Sequence, residues 1–165
     1  MNRTSNRLLL IVLAIVAATA TSVRAESGDF SRLWFAPGFY SWHYDKPDNE
    51  EIRDDNPGIG FQYDVSARRG YVVGRFINSN NAWSNYIGAS WFPLELAGNT
   101  ARLGVTLAAL DGYAYKQGDW FAAAIPTFAY RRKSWGFNLT WAPKIEGKLH
   151  GAVSVQLLFA ITDFP

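Results

Sequence analysis

Two histidines and a small set of hydroxyls are the side chains of this 165-residue sequence that suggest acid–base or nucleophilic chemistry. The chain has no cysteine, which excludes thiolate nucleophiles and thiolate metal sites. His43 lies in the segment 41–45, and Ser79 ends the segment 76–79. An imidazole that removes the proton of a nearby hydroxyl is the minimum equipment for acyl transfer, and a third group usually orients the imidazole. His150 has no recognisable local partner and is expected to be a solvated loop residue.

Strand-like runs rather than helices must position these groups. Runs rich in aromatic and β-branched residues alternate with turn clusters, and we predict strands at 33–44, 58–65, 70–78, 84–93, 100–111, 120–130, 134–142 and 151–162. Bulky apolar side chains alternate with small or polar ones most clearly over 103–109, 135–141 and 153–161. Each strand therefore has one large apolar face and one small or polar face.

An even number of strands of this length is typical of the smallest outer-membrane barrels, whose large apolar groups face lipid. We predict an all-β, eight-stranded antiparallel up-and-down transmembrane β-barrel. In that topology the first and third strands end at the same rim, which brings His43 and Ser79 to one end. Aromatic girdles are expected from residues near strand ends: Trp34, Tyr40, Trp42, Tyr44, Trp91, Trp120 and Trp141. A secreted soluble barrel of the lipocalin type stays open as the alternative.

Connections between the predicted strands are alternately long and short, as expected when one end of a barrel faces outward and the other faces the periplasm. The tight connections carry Arg68-Arg69 and the basic run 131–133, which we interpret as solvated turns. The first long connection, 45–57, is acidic, but its carboxylates do not follow the spacing of a calcium-binding loop. We therefore expect a solvated loop and no metal.

The N-terminal residues 1–25 have the pattern of a cleaved signal peptide. Arg3 and Arg7 precede the apolar stretch 8–18, and small residues lead to Ala25. The stretch is shorter than the roughly 20 residues that a membrane-spanning helix needs. Removing the segment leaves residues 26–165 as one barrel domain with 13 basic and 14 acidic side chains, a net charge of −1. We expect export to the cell outer membrane and no nucleic-acid binding.

Short motifs are spread over most of residues 38–162. They are Trp42-His43 followed by Tyr44-Asp45-Lys46, Asn56-Pro57-Gly58-Ile59-Gly60-Phe61, Phe76-Ile77-Asn78-Ser79, Trp91-Phe92-Pro93-Leu94, Ile125-Pro126 and Thr140-Trp141-Ala142-Pro143. Together they resemble the lipid A palmitoyltransferase family, PagP, whose members are eight-stranded outer-membrane barrels. The resemblance implies an enzyme that moves an acyl chain from a phospholipid to lipid A or a related outer-leaflet acceptor. We expect a monomer in the membrane that uses no cofactor.

The resemblance also implies site residues. His43 matches the catalytic base and Ser79 the catalytic serine, which acts as nucleophile or as hydroxyl hydrogen-bond partner. Asn78 stands where the family has its catalytic aspartate; an amide can orient the ring or donate to an oxyanion but offers no charge. A non-catalytic barrel of the same fold, lipid-binding or structural, is therefore the competing hypothesis.

Prolines and glycines form a second implied set. Proline removes a ladder donor and is unusual in membrane strands, and in the family prolines flank lateral openings through which acyl chains enter. Pro37, Pro57, Pro126 and Pro143 match such positions. Small side chains on one strand face also suggest an interior slot for an acyl chain. Its candidate lining is Gly88, Gly104 and Gly136, which otherwise relieve crowding in a narrow barrel wall.

Overall fold

The computed structural model describes residues 31–46, 51–97, 100–144 and 150–164, with the backbone alone for 162–164. Within these ranges the chain forms β1 (Ser31–His43), β2 (Asp55–Ser66), β3 (Arg69–Ile77), β4 (Trp83–Leu96), β5 (Ala101–Leu110), β6 (Phe121–Arg131), β7 (Trp135–Ala142) and β8 (Ala152–Phe164). A three-residue 3₁₀ helix, Ala114–Lys116, lies between β5 and β6. The predicted signal peptide, residues 1–25, lies outside the described residues.

The eight strands close into one antiparallel barrel in which each strand pairs with its neighbours in the sequence. Pairing of β8 with β1, from Ser31 opposite Phe164 to His43 opposite Ala152, closes the cylinder. Closure removes the exposed edge that an open sheet would present. The predicted all-β, eight-stranded up-and-down barrel is confirmed, and each strand boundary lies within three residues of its predicted position. No helix in the described part of the chain is long and apolar enough to cross a membrane.

The barrel has two unlike ends. The connections 44–54, 78–82, 111–120 and 143–151 meet at what we call the loop end. The shorter connections 67–68, 97–100 and 132–134 meet at the turn end. This is the alternation of long and short connections that the sequence predicts. His43 ends β1 and Ile77 ends β3, so His43 and Ser79 both belong to the loop end.

Large apolar side chains cover the outside of the barrel. The exposed ones are Tyr40, Trp42, Tyr44, Ile59, Phe61, Val73, Trp83, Trp91, Leu94, Leu96, Leu103, Leu107, Trp135, Leu139, Trp141, Val155, Leu157, Phe159 and Ile161. Trp42, Trp83 and Trp141 lie at the loop end of their strands, whereas Trp91 and Trp135 lie towards the turn end. The outer surface thus carries an apolar band with aromatic rings at both levels.

Polar side chains, in contrast, fill much of the interior. The buried polar set comprises Ser41, Asn56, Gln62, Asp64, Asn78, Ser84, Ser90, Arg102, Thr127, Arg131 and Asn138. The only apolar cluster of buried residues in the described chain is small and consists of Trp34, Ala36 and Leu158. A soluble barrel buries its large apolar side chains, so this distribution is inverted relative to that of a soluble protein.

A buried ionic network occupies the interior near the turn end and is centred on Asp64. Its Oδ2 atom accepts hydrogen bonds from Arg131 Nε at 3.1 Å, Trp34 Nε1 at 3.1 Å and Arg102 Nη2 at 3.5 Å. Gln62 Nε2 donates to Oδ1 at 2.6 Å. Two predictions are corrected here. Trp34 is not a girdle residue and Arg131 is not a solvated turn residue, because both point inward to this carboxylate and are buried.

Replacing Asp64 tests how much this network contributes to stability. Asp64→Ala should lower the free energy of unfolding by about 3–5 kcal/mol, because it leaves two buried guanidinium groups without their carboxylate. Asp55→Ala is the matched control, since the Asp55 side chain is 69% exposed, and the change should stay below about 1 kcal/mol. Urea unfolding of the detergent-solubilised barrel, followed by tryptophan fluorescence, measures both. Equal losses in the two variants would contradict the prediction.

Candidate functional site

A cavity of about 790 Å³ occupies the loop-end half of the barrel interior. This lumen cavity extends from the rim residues His43 and Ser79 down to Asn138 and Gln156. Its floor is polar: Asn138 Nδ2 donates to Gln62 Oε1 at 2.9 Å, and Gln62 in turn contacts Asp64. The buried network at the turn end therefore closes the cavity from below.

The walls of the lumen cavity differ in side-chain size. Aromatic rings line it from β1, β3 and β4, where Phe39 and Phe76 lie 4.7 Å apart and Phe76 lies 5.9 Å from Tyr86. Tyr86 fits only because Gly60 and Gly74 have no side chain, since a Cβ atom at either glycine would overlap its phenol. Small residues line the opposite wall from β5 to β8: Thr106, Ala108, Ala123, Thr127, Thr140, Ala142, Ala152 and Ser154. The cavity is thus lined mainly by apolar and small groups.

His43 stands at the mouth of the cavity and is hydrogen-bonded to Asp54. The alternation of β1 turns Phe39, Ser41 and His43 inward. Asp54 Oδ1 lies 2.7 Å from His43 Nδ1; the His43 side chain is 6% exposed and that of Asp54 31% exposed. When Nδ1–H donates to the carboxylate, Nε2 keeps its lone pair. No group in the described part of the chain forms a hydrogen bond with Nε2. In a neutral imidazole with this contact, Nε2 is the ring nitrogen that can accept a proton.

The segment 51–54 connects the strand of His43 with the connection that carries Ser79. Ser41 N–H donates to the Asp54 carbonyl at 2.7 Å, and Arg53 N–H donates to the Ser79 carbonyl at 3.1 Å. Ile52, between them, is buried. His43 and Ser79 accordingly lie on either side of one short segment and both line the lumen cavity. The structure brings these two predicted site residues to the same rim.

Asn78 has a different surrounding. Its Oδ1 atom accepts from the N–H groups of Asn80 at 2.9 Å and Ala82 at 3.1 Å. Its Nδ2 atom donates to Ser84 Oγ at 3.1 Å and to the Gly112 carbonyl at 2.9 Å. The oxygen of the amide thus closes the β3–β4 connection, and its nitrogen ties that connection to β4 and to the 111–120 connection. The structure assigns Asn78 to that connection rather than to the imidazole, and the carboxylate that contacts His43 is Asp54, which the sequence analysis counted only among the acids of a solvated loop.

The prolines lie at irregular points in the strand pairing. Pro37 lies within the register shift of β1 between Ala36 and Gly38, and Pro57 pairs with Gly38. The β6–β7 ladder runs from Thr127–Thr140 to Arg131–Gly136 and, within the described chain, includes no residue of 121–126. Pro126 lies at the end of that ladder, and Pro143 directly follows β7.

The three candidate slot glycines do not line the lumen cavity. A Cβ atom at Gly88 would approach the Leu107 carbonyl at 2.5 Å, and one at Gly104 or Gly136 would meet the Trp91 or the Tyr130 carbonyl. These glycines therefore permit close approach of neighbouring strands. Of the two readings that the sequence left open, the relief of crowding agrees with this geometry.

A second group of charged side chains lies at the rim, around Asp45. Its carboxylate accepts the Gly151 N–H at 2.7 Å and lies 3.7 Å from both His150 Nδ1 and Lys144 Nζ. His150, expected to be a solvated loop residue, is thus part of the cavity rim. Within the described ranges no cluster of three or more histidine, aspartate or glutamate side chains could hold a metal ion.

An aromatic group from the 111–120 connection covers part of the cavity mouth. The rings of Tyr113 and Phe121 lie 5.5 Å apart, and those of Tyr115 and Phe121 lie 5.1 Å apart. Burial raises the pKa of Tyr113, and the neighbouring Tyr115 raises it further. Both phenols therefore stay neutral at physiological pH, so this side of the mouth presents uncharged groups to the cavity.

Comparison with protein-family models and with curated proteins finds no match for this chain.

Substitution of Asn78 tests its role in the connection. Asn78→Asp should lower the free energy of unfolding by about 1–3 kcal/mol, because an amide donor becomes an oxygen that faces the Gly112 carbonyl. Asn80→Asp, on an exposed side chain of the same connection, is the control and should have a smaller effect. Urea unfolding compares them. An Asn78→Asp variant as stable as the unmodified protein would contradict the assignment.

Proposed function

We propose that the protein is an outer-membrane acyltransferase that moves an acyl chain from a phospholipid to lipid A or a related outer-leaflet acceptor. The observation that carries the proposal is a histidine with an open Nε2 atom at the mouth of a largely apolar interior cavity, with a serine hydroxyl on the same rim. The family resemblance of the sequence supplies the substrate class.

The surface of the barrel supports a membrane location. Apolar side chains on the outside and polar side chains inside are the arrangement that a lipid bilayer favours, because lipid-facing groups must be apolar while the lumen need not be. Closed strand pairing leaves no open sheet edge to lipid except where the β6–β7 ladder is interrupted. In an outer membrane the longer connections face outward, so the loop end with His43 would meet the outer leaflet.

The lumen cavity suits an acyl chain. Its volume of about 790 Å³ falls within the roughly 300–1,000 Å³ of small-molecule sites. Alanines and aromatic rings line most of its depth, and the polar floor at Asn138 ends it. An acyl chain inserted from the rim would place its ester carbonyl near His43. The interrupted β6–β7 ladder beside the small-residue wall is the candidate passage from the bilayer into the cavity.

The chemistry follows from the two rim groups. His43 Nε2 accepts the proton of Ser79 Oγ as that oxygen attacks the ester carbonyl of the phospholipid. The ester C–O bond breaks, and the lysophospholipid oxygen leaves with the proton from His43. The acceptor hydroxyl then attacks the acyl-serine, with His43 again accepting and returning the proton. If Ser79 is only a hydrogen-bond partner, the acceptor hydroxyl attacks the phospholipid ester directly with the same base.

The non-catalytic barrel is a second candidate. It is favoured by one observation: among the described residues no hydrogen bond joins Ser79 Oγ to His43. In that case the lumen cavity would hold a lipid chain without cleaving it.

The membrane location is tested by depth-dependent substitution. Leu107→Lys, in the interior of an exposed strand face, should make folding into phospholipid bilayers less favourable by about 2–4 kcal/mol. Leu96→Lys, at the turn end of β4, should cost about 0–1 kcal/mol because lysine there reaches the interface. Both leucines are similarly exposed, at 47% and 46%. Equal effects, or recovery of the protein without detergent, would support a soluble barrel instead.

The activity is tested by reconstitution with a phospholipid that carries a labelled acyl chain, and with lipid A as acceptor. Mass spectrometry should detect acylated lipid A and lysophospholipid in equal amounts. His43→Ala should reduce the rate by about 10²–10⁴-fold, since it removes the general base. Ser79→Ala distinguishes transfer through an acyl-serine from direct attack by the acceptor hydroxyl. Ser66→Ala, at the turn end, is its matched control. Unchanged lipid A with correctly folded protein would reject acyl transfer and leave the non-catalytic barrel.

A further inference from the structure

We infer that Asp54 positions His43 for the reaction and takes the place of the carboxylate that the sequence lacks at Asn78. This inference rests on the proposed function, which requires His43 as the base. It assigns a role to a residue outside the family motifs that the sequence analysis used. Asp54 is a positioning residue, because it acts through the imidazole and does not contact the reacting ester.

The geometry of the His43–Asp54 pair supports this role. A 2.7 Å contact between Asp54 Oδ1 and His43 Nδ1 fixes one ring nitrogen and thereby the orientation of the other. The imidazole is 6% exposed, so water competes little for its Nδ1 atom. When Nε2 accepts a proton, the ring becomes positively charged within hydrogen-bond distance of a carboxylate. A charge-assisted hydrogen bond of this kind stabilises the imidazolium more than an amide does.

Asp54 is also held in place independently of His43. Its own carbonyl accepts the Ser41 N–H, and the preceding Arg53 N–H is bonded to the Ser79 carbonyl. Lys46 Nζ donates to the Ile52 carbonyl at 2.7 Å and lies 4.0 Å from Asp54 Oδ2. The backbone at Asp54 is thus anchored to β1 and to the β3–β4 connection, and Lys46 places a cation near the carboxylate. An anchored partner loses little entropy when it orients the base.

A buried polar contact lies below the His43–Asp54 pair. Ser41 Oγ donates to Asn56 Oδ1 at 2.8 Å, and Asn56 Nδ2 donates to the Ile77 carbonyl at 2.9 Å. Both side chains are buried. This contact ties β1, β2 and β3 together beneath the rim. It therefore restricts changes in the distance between the backbones of His43 and Asp54. Asn78 is left to close the connection that holds Ser79.

The test compares Asp54→Ala, Asp54→Asn and Asp54→Glu with Asp55→Asn. Asp55 neighbours Asp54 but pairs with Arg53 at 2.8 Å, and its side chain is 69% exposed. In the acyl-transfer assay, Asp54→Ala should lose activity by about 10²-fold or more, since an unoriented base loses much of its contribution. Asp54→Glu should retain more activity than Asp54→Ala, and Asp55→Asn should match the unmodified protein. Heat-modifiable gel mobility shows that each variant is folded.

A spectroscopic readout separates positioning from a general structural effect. The chain has two histidines, so ¹⁵N spectra of the imidazole rings can be assigned by comparison with His43→Gln. The unmodified protein should show the Nδ1-protonated form of His43, whereas Asp54→Ala should show a mixture of both neutral forms. Asp55→Asn should leave the spectrum unchanged.

The two failures are distinguishable. If the unmodified protein does not transfer acyl chains, the proposed function is rejected, and the imidazole spectrum still decides whether Asp54 orients His43. If it does transfer them and the Asp54 variants are as active as Asp55→Asn, only the role of Asp54 is rejected. An unchanged imidazole spectrum in folded Asp54→Ala would likewise overturn the inference.

Discussion

The narrow closed cylinder is the constraint on which the rest of this structure depends. Closing eight antiparallel strands into a ring pairs most of their backbone groups with neighbouring strands. Because side chains alternate along a strand, every second one then points into the narrow interior. Many of the large apolar residues occupy the outside, and much of the interior is filled with polar groups that bond to one another. Near the turn end, Asp64, Arg102 and Arg131 do this with charges, and Gln62 and Asn138 extend the network to the cavity floor. An interior filled at one end leaves space at the other, and this space is the lumen cavity.

At the loop end, the described parts of the long connections have no packed core to hold them in place. They are held instead by a set of hydrogen bonds to strands and to other connections. Segment 51–54 bonds to β1 and to the Ser79 carbonyl, Asn78 bonds to Ser84 and Gly112, and Asp45 bonds to Gly151. The His43–Asp54 contact, which we propose as base and positioning residue, is one member of this set. Because the contact also anchors a connection, its test needs a spectroscopic readout besides activity.

The sequence alone predicts the strands well because the alternation of bulky apolar with small or polar side chains is a local property. Residues 135–141 and 153–161 show this alternation clearly, and β7 and β8 lie at these positions. Local alternation does not say which face is inside at a given residue. Trp34 and Arg131 were assigned outward or to solvent by residue type, whereas Asp64, about 30 and 67 positions away, draws both inward. Asp54 was missed for the same reason. Its contact with His43 forms only because the Asp54 backbone bonds to β1 at Ser41, and nothing in the local spacing of an acidic loop distinguishes Asp54 from Asp55. Once the barrel register is known, the signal is visible: an acid directly before β2 lies beside the end of β1.

The β6–β7 ladder is interrupted at the level of the lumen cavity, whereas β6 stays paired with β5 there. A chain of hydroxyl contacts crosses β4, β5 and β6, from Ser90 to Thr106 at 2.9 Å and from Thr106 to Thr127 at 3.0 Å. It ends where Thr127 Oγ1 donates to the Ile125 carbonyl at 2.9 Å, directly before Pro126. Ile125 itself stays paired with Thr106 of β5, so β6 remains attached to β5 where its pairing with β7 ends. The interruption lies beside the small-residue wall of the cavity and away from the Asp64 network. If the lumen receives a lipid chain from the side, the interrupted β6–β7 ladder lies where it can give access to the cavity. The Asp64 network lies at the other end, where it helps to keep the barrel closed.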